Sequence, residues 1–395
     1  MIGDGWANPE DERRVDSRAT SERPRRVAVV TGSRAEFGLL TPVMRAVADR
    51  PELELLVVAA GSHLVQPALT FRDVKALFEV SDTVPMQTVG RVGRLHDAEA
   101  TGKGIARFAR GFERLAPDWV VVLGDRIEAF AAASAASIGG IAVAHLHGGD
   151  IAEGVADEAM RHAITKLSHL HLPATETSAA RIRRMGEPEG RIVVVGSPAI
   201  DGLAAVEPLD DAAWSDLGDP TVVLSFHPIG RSDEAEEHAA TKVLSAIESE
   251  RVLALHPNFD PGRDGVMRAL LSSPGSVKVV EHLRRDVFVR AVKRLGMEGG
   301  VVVGNSSAGL IEVPALGCGS VDVGSRQAGR EAGGSVVRVD HETAVRVREA
   351  VAKARSSGAS STHPFGDGLA GVRVARALCD VNPFEPGFAR KRWAD

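Results

Sequence analysis

Two cysteines in 395 residues, Cys318 and Cys379, have neither metal-ligand spacing nor the number a disulfide framework needs, so the chain is expected in a reducing compartment. Cationic excess is missing as well. The net charge is −6 and no Lys/Arg stripe with interleaved aromatics occurs, which argues against a broad nucleic-acid footprint and leaves only local phosphate contacts. No apolar run approaches the length of a membrane span, and the first residues are polar rather than a charged-then-apolar leader. These absences predict a cytoplasmic protein with neither membrane nor nucleic acid as a partner. Solenoid repeats and low-complexity blocks are also lacking.

What is present is the composition of a globular protein, 44% hydrophobic and 25% charged, in a chain long enough for two α/β domains and a cleft between them. The opening run to Pro24 is polar and aperiodic and reads as a disordered extension over residues 1–24. Beyond it, apolar runs of strand length alternate with amphipathic stretches of helix length, the pattern of βαβ units around a parallel sheet. Strands are predicted at Arg26–Thr31, Leu53–Ala60, Trp119–Leu123, Ile141–His147, His169–Pro173 and Ile192–Val195. A second series is predicted at Thr221–Phe226, Arg251–Leu255, Ser276–Val280, Gly300–Val303 and Ser320–Val323. The polar stretch Glu207–Pro220 between them reads as a linker. The expected fold is α/β, two Rossmann-like doubly wound domains: residues 25–200 and residues 201–367, with a C-terminal helix in 368–395.

Ligands on such sheets sit at the carboxyl ends of the strands, so the residues following each strand carry the functional argument. Thr31-Gly32-Ser33-Arg34-Ala35-Glu36 places a guanidinium at a helix start, as a phosphate clamp or simply in a capped, solvated turn. Asp125, after Leu123-Gly124, is either a helix N-cap or an acid or base. The densest segment is His145-Leu146-His147-Gly148-Gly149-Asp150. Strand alternation would put His145 and His147 on one face there. Asp157 and Arg161 follow, four apart and so on one helix face. The histidines lack the spacing of a helical zinc motif, and no metal is expected.

In the second half, Gly304-Asn305-Ser306-Ser307-Ala308-Gly309 turns a strand into a helix whose N–H groups, hydroxyls and dipole suit a diphosphate, although a plain Ser-capped helix fits too. Glu312 lies one to two turns further on and suits a ribose diol. Arg326 follows the next strand and adds charge against phosphate or base. His227, in Phe226-His227-Pro228, is a candidate acid or base.

Taken in order and spacing, these segments resemble the UDP-N-acetylglucosamine 2-epimerase family. The matches also include Gly124-Asp125-Arg126, Asp157 to His171, Gly304 to Gly317 and Arg326-Gln327-Ala328-Gly329-Arg330-Glu331. The run Arg161 to Leu172 resembles the hydrolysing branch that feeds sialic-acid-like nonulosonate pathways. The resemblance implies a glycosyltransferase B-type fold whose last helix returns to the first domain, a UDP-sugar substrate, no cofactor, and a homodimer by family analogy. It also implies elimination of UDP anti to the C2 proton, followed by addition of water to the resulting 2-acetamidoglycal.

Carried over by resemblance, Asp125 and Asp157 are acid–base carboxylates, Arg161 orients them, and His227 contacts the diphosphate or leaving group. Arg34, Asn305, Ser306, Ser307, Glu312, Arg326 and His282 match nucleotide-binding positions. One departure stands out. Many relatives carry a catalytic Glu before the paired glycines, where this chain has His147, a form that occurs in relatives suggested to act on UDP-2,4-diacetamido-2,4,6-trideoxyhexoses. The alternatives are that substrate, a reversible epimerase that retains UDP, a glycosyltransferase of the same fold, and a catalytically silent UDP-sugar-binding protein.

Overall fold

The computed structural model describes residues 23–66, 68–91, 93–151, 158–258, 260–356 and 363–391. The expected N-terminal extension therefore lies almost wholly outside the described residues. The first sheet contains β1 (Arg25–Thr31), β2 (Leu53–Ala60), β3 (Val80–Val84), β4 (Trp119–Leu123), β5 (Ala142–Leu146) and β6 (Leu170–Leu172). The second contains β7 (Val222–Ser225), β8 (Val252–Leu255), β9 (Val277–Val280), β10 (Val301–Gly304), β11 (Gly319–Val323) and β12 (Val336–Val339). Neighbouring strands are parallel throughout, in the orders β3-β2-β1-β4-β5-β6 and β12-β11-β10-β7-β8-β9.

The two orders are the same winding used twice. Each series starts at the centre of its sheet, builds outward, then returns to build on the other side. This creates a topological switch between β1 and β4 in one sheet and between β7 and β10 in the other. Both switches open crevices at the carboxyl ends of the strands.

Continuous valine-rich strands are possible because helices cover both faces. Val27 and Val29 point into one core with Leu40, Met44, Val374 and Leu378. Ala28 and Val30 point into the opposite core with Phe108, Ala132 and Ile164. Each fully buried Val or Leu contributes about 1.5–3 kcal/mol, and the same two-sided arrangement recurs in the second sheet. The last helix, Ala370–Asp380, lies on the first domain, where Gly371 sits so close that a Cβ there would be 2.7 Å from the Pro42 carbonyl oxygen. Asp201 holds its N-terminus, accepting from the amides of Ala370 (2.9 Å) and Gly371 (2.7 Å). Arg25 satisfies carbonyls at its far end, those of Leu378 (2.7 Å), Cys379 (2.5 Å) and Val381 (2.9 Å).

Three expectations need correction. β3 and β12 are edge strands with mixed exposure, too short and polar to stand out as apolar runs. Ile192–Val195 is not a regular strand. It runs beside β6 through Val193 N–H to His171 O (2.9 Å) and Val195 N–H to Pro173 O (3.1 Å), with a single bridge at Ile192. The linker Glu207–Pro220 contains a helix, Asp211–Asp216, capped by Asp210 and anchored by buried Trp214. Among the described residues no helix is long and apolar enough to cross a membrane.

Candidate active site

The first-domain half of the site is built on the turn after β4. Asp125 does not cap the following helix, Ile127–Ile138, whose N-cap is Arg126, so the capping alternative fails. Its carboxylate instead accepts from the Arg161 guanidinium, which is 4% exposed on the helix Glu158–Leu167. Arg161 also donates to the Asp150 carbonyl (2.9 Å), tying the β4 and β5 ends together. Burial, and then the charge of Arg330, push its guanidinium down to about 10, which leaves it protonated at neutral pH. The predicted partner Asp157 lies outside the described residues.

His145 and His147 have different jobs. β5 ends at Leu146, and His147 adopts φ 59°, a left-handed conformation costly for a side-chain-bearing residue, so strand alternation no longer applies to it. His145 is wholly buried between the Gly124 carbonyl (Nε2, 2.8 Å) and the Thr165 hydroxyl (Nδ1, 3.2 Å). Burial drives it down to about 3, so it is a neutral brace for the Asp125 turn. His147 places Nδ1 2.7 Å from Asp150 Oδ2 and Nε2 3.1 Å from Ser197 Oγ. The next residues permit this turn: Gly149 has φ 76°, and a Cβ there would lie 2.3 Å from the Ser178 carbonyl oxygen.

Beneath the Arg34 turn, Ser33 is the N-cap of the helix Arg34–Ala48, and Arg34 itself is exposed. Glu36, buried, accepts the Gly32 amide (2.8 Å). Desolvation and then the neighbouring Glu128 carboxylate raise Glu36 to about 8. Its carboxyl is thus protonated in the folded protein at neutral pH and ionised in the unfolded chain. Its contribution to stability is complete below its ordinary value of 4.5 and is lost as pH rises through about 8. Glu36→Gln is expected to abolish that loss. Thermal melts should show the wild type losing stability relative to the variant between those pH values, and parallel profiles would disprove the assignment.

The second-domain half is organised by Asn305. Its side chain clamps the His227 backbone, accepting from the amide (2.7 Å) and donating to the carbonyl (2.8 Å). Its own carbonyl accepts from Arg326 (3.2 Å) and Gln327 (2.8 Å). Asn305 therefore joins three strand ends, using one side-chain N–H and one lone pair of its carbonyl oxygen on the His227 backbone. The His227 Nδ1 accepts the Asn258 amide (3.1 Å), which puts the proton on Nε2. Burial, then Arg326, lower His227 to about 4, making it a neutral N–H donor rather than a cation at neutral pH.

Ser306 and Ser307 are half-buried, and the Ser306 hydroxyl makes no capping bond, so the plain Ser-cap alternative does not hold. The expected continuous helix after them is also corrected. A single 3-10 turn, Ser307–Gly309, is followed by a four-residue helix, Glu312–Ala315. Pro314 has no N–H to give to Leu310, whose carbonyl accepts from Gly333 instead (3.0 Å). The macrodipole is correspondingly short, and local N–H groups carry the electropositive character. Glu312, at the start of that helix, accepts from Arg285, which also reaches the Ala199 carbonyl (2.9 Å) in the segment that joins the two sheets.

One further hydrogen bond and two sets of charge interactions link the halves. Arg34 faces His282, whose pKa is lowered by burial and then by that charge. The Thr175 hydroxyl donates to Glu331. Arg330, absent from the predicted site, lies within electrostatic reach of Asp150 and Glu158 and of both Arg161 and Arg326. Its only sequence signal was its place in the run after β11.

Two doubly wound domains facing across a charged cleft define a glycosyltransferase B-type fold. The sequence matches the profile of the UDP-N-acetylglucosamine 2-epimerase family over residues 45–379, and the chain belongs to that family. It is 30% identical over 336 residues to a UDP-N-acetylglucosamine 2-epimerase of Neisseria meningitidis serogroup B, covering 81% of this chain and 85% of that protein. It is 32% identical over 371 residues to a UDP-N,N'-diacetylbacillosamine 2-epimerase (hydrolyzing) of Legionella pneumophila, covering 90% and 95%. In structure it is similar to the N. meningitidis UDP-GlcNAc 2-epimerase bound to UDP-GlcNAc, with TM-score 0.74, 19% identity, and 90% and 100% of the two chains covered.

Proposed function

We propose that the chain is a hydrolysing 2-epimerase that converts a UDP-linked 2-acetamido sugar into UDP and the free 2-epimer. The observation carrying this reading is the juxtaposition, through Arg330, of the Asp125–Arg161 and His147–Asp150 groups with the Arg326–Asn305–His227 cluster. In the first step a base takes the C2 proton, the C–H pair becomes the C1=C2 bond, and the C1–O pair leaves with UDP. Water then adds OH at C1 and a proton at C2 from the other face, with no net redox change. A C2 hydrogen is poorly acidic, so its removal must be coupled to departure of a stabilised diphosphate.

In this reading Asp125, Asp157 and His147 are the acid–base groups, and Arg161 orients Asp125. His227 donates a neutral N–H to the leaving diphosphate, which lies on the Ser306–Ser307 turn with Arg326. Arg34 and His282 flank the nucleotide, and Glu312 holds the ribose. Asp201 is taken as the junction of the two domains. A second reading concerns the sugar: the similarity to a diacetylbacillosamine 2-epimerase along 90% of this chain, together with His147, favours a 2,4-diacetamido-2,4,6-trideoxyhexose.

The deciding assay supplies UDP-N-acetylglucosamine and its 4-acetamido-6-deoxy analogue in deuterated water. Free UDP and a free sugar carrying deuterium at C2 are expected. A UDP-linked epimer without free UDP would select the reversible reaction, and release that requires an acceptor would select a transferase. The ratio of kcat/KM for the two sugars assigns the substrate. Ser307→Trp is expected to weaken UDP binding at least about tenfold by calorimetry, since bulk there covers the diphosphate-binding amides. An unchanged Kd would move the diphosphate elsewhere.

A further inference from the structure

A line of hydrogen bonds crosses the cleft and reaches His147; the Thr175 hydroxyl, 3.2 Å from the Ser178 Oγ as well, makes its shorter contact with Glu331. The Glu331 carboxylate, on the second domain, accepts from the Thr175 hydroxyl. The Thr175 oxygen accepts the Ser178 amide (3.1 Å), Thr175 being the N-cap of the helix Glu176–Arg184. The Ser178 hydroxyl donates to Asp150 Oδ1 (2.7 Å). With that oxygen occupied, Asp150 Oδ2 accepts from His147 Nδ1 (2.7 Å). His147 therefore carries its proton on Nδ1, and Nε2 is the nitrogen that exchanges one, facing the Ser197 hydroxyl (3.1 Å). Thr175, Ser178 and Ser197 are at most 2% exposed, so water does not compete for these bonds.

We infer that Asp150 is the positioning residue that makes His147 Nε2 a proton-transfer group, and that the Glu331–Thr175–Ser178 bonds hold Asp150 so that this group is set when the two domains face each other. This rests on the reaction proposed above. A carboxylate bonded to Nδ1 fixes the tautomer and stabilises the imidazolium that forms when Nε2 takes a proton. The chain thus replaces a carboxylate base by a histidine backed by a carboxylate three residues on. The left-handed backbone at His147 turns the ring back onto Asp150, and is strain retained for that purpose.

Other charges face the pair. Arg161 donates to the Asp150 carbonyl, Arg181 donates to the Gly149 carbonyl (3.0 Å), and Arg330 lies opposite. His145, which senses both His147 and Asp150, is neutral, and Asp125 is paired with Arg161. Burial opposes the charge of Asp150, but His147, Ser178 and Arg330 outweigh it and leave the carboxyl below its ordinary value. Asp150 is therefore the anion in contact with the imidazole.

The test is the tautomer of His147 in the full-length protein, read by ¹⁵N-imidazole NMR, alongside kcat and UDP affinity. Asp150→Asn should move the His147 population from the Nδ1–H toward the Nε2–H tautomer, lower kcat at least about tenfold, and leave the Kd for UDP unchanged. Glu331→Gln should shift both quantities less in the wild-type background and not at all in the Asp150→Asn background, because it acts through Asp150. If Asp150→Asn does not fold, Ser178→Ala gives the same readout with a smaller shift. An unmoved tautomer population, or additive effects of the two substitutions, overturns the inference. The spectrum needs no turnover. If no UDP-sugar releases UDP, the proposed reaction fails while the relay is still judged by the tautomer.

Discussion

Replacing Asp125 by asparagine is expected to lower kcat for UDP release by a factor of about 10² to 10⁴, the range for loss of a positioned acid or base, with UDP affinity unchanged within about threefold. The physical ground is the pairing with Arg161. A guanidinium buried beside the carboxylate aims it, and an amide of the same shape keeps the hydrogen bond but takes up no proton. Asparagine retains an oxygen for Arg161, so the fold should survive with a modest loss of stability. Truncation to alanine would leave the buried cation with the Asp150 carbonyl but without its counter-charge, at a cost of up to about 3–5 kcal/mol. Steady-state kinetics with calorimetry of UDP binding makes the measurement, and a variant with kcat within about threefold of wild type would remove Asp125 from the reaction.

The largest effect on stability is expected at Gly304, the last residue of β10. Its φ is 146°, and a Cβ there would lie 2.0 Å from the Ser225 carbonyl oxygen of the paired strand β7. Gly304→Ala combines backbone strain of about 1–3 kcal/mol with an overpacking cost of similar size. A loss of about 4 kcal/mol and a fall in melting temperature of roughly 10 °C are expected for a domain of this size. The next residues are Asn305 and Ser306, so the shift should also loosen the clamp on His227 and weaken UDP binding. Calorimetric melting decides it, and an unchanged transition would mean that β7 and β10 part easily.

Much of this site was legible because its residues follow strands in the chain. Asp125, His147, His227 and Ser306 each lie just past an apolar run, and the winding brings the carboxyl ends of those runs together. Other features had no local trace. Nothing near Glu331 in the chain indicates that it meets Thr175, 156 positions earlier. The roles of Asn305 and His145 were likewise open. An asparagine after a strand reads alike whether it binds a ligand or ties down a neighbouring loop, and only its partner tells the two apart. The broken helix after Ser307 had a local cause in Pro314, but small residues around a proline suit a kinked helix and a split one equally.

Hydrophobic periodicity and strand-end chemistry by themselves determined that this chain makes two parallel sheets and which segments surround the cleft, because burial is decided locally by side-chain type. Which partner each ring nitrogen of His147 meets, which carboxylate Arg161 serves, and why His227 is neutral were decided only by the tertiary structure. Protonation and hydrogen bonding depend on distances of about 3 Å between atoms far apart in the chain, and those distances exist only once the domains have folded and met.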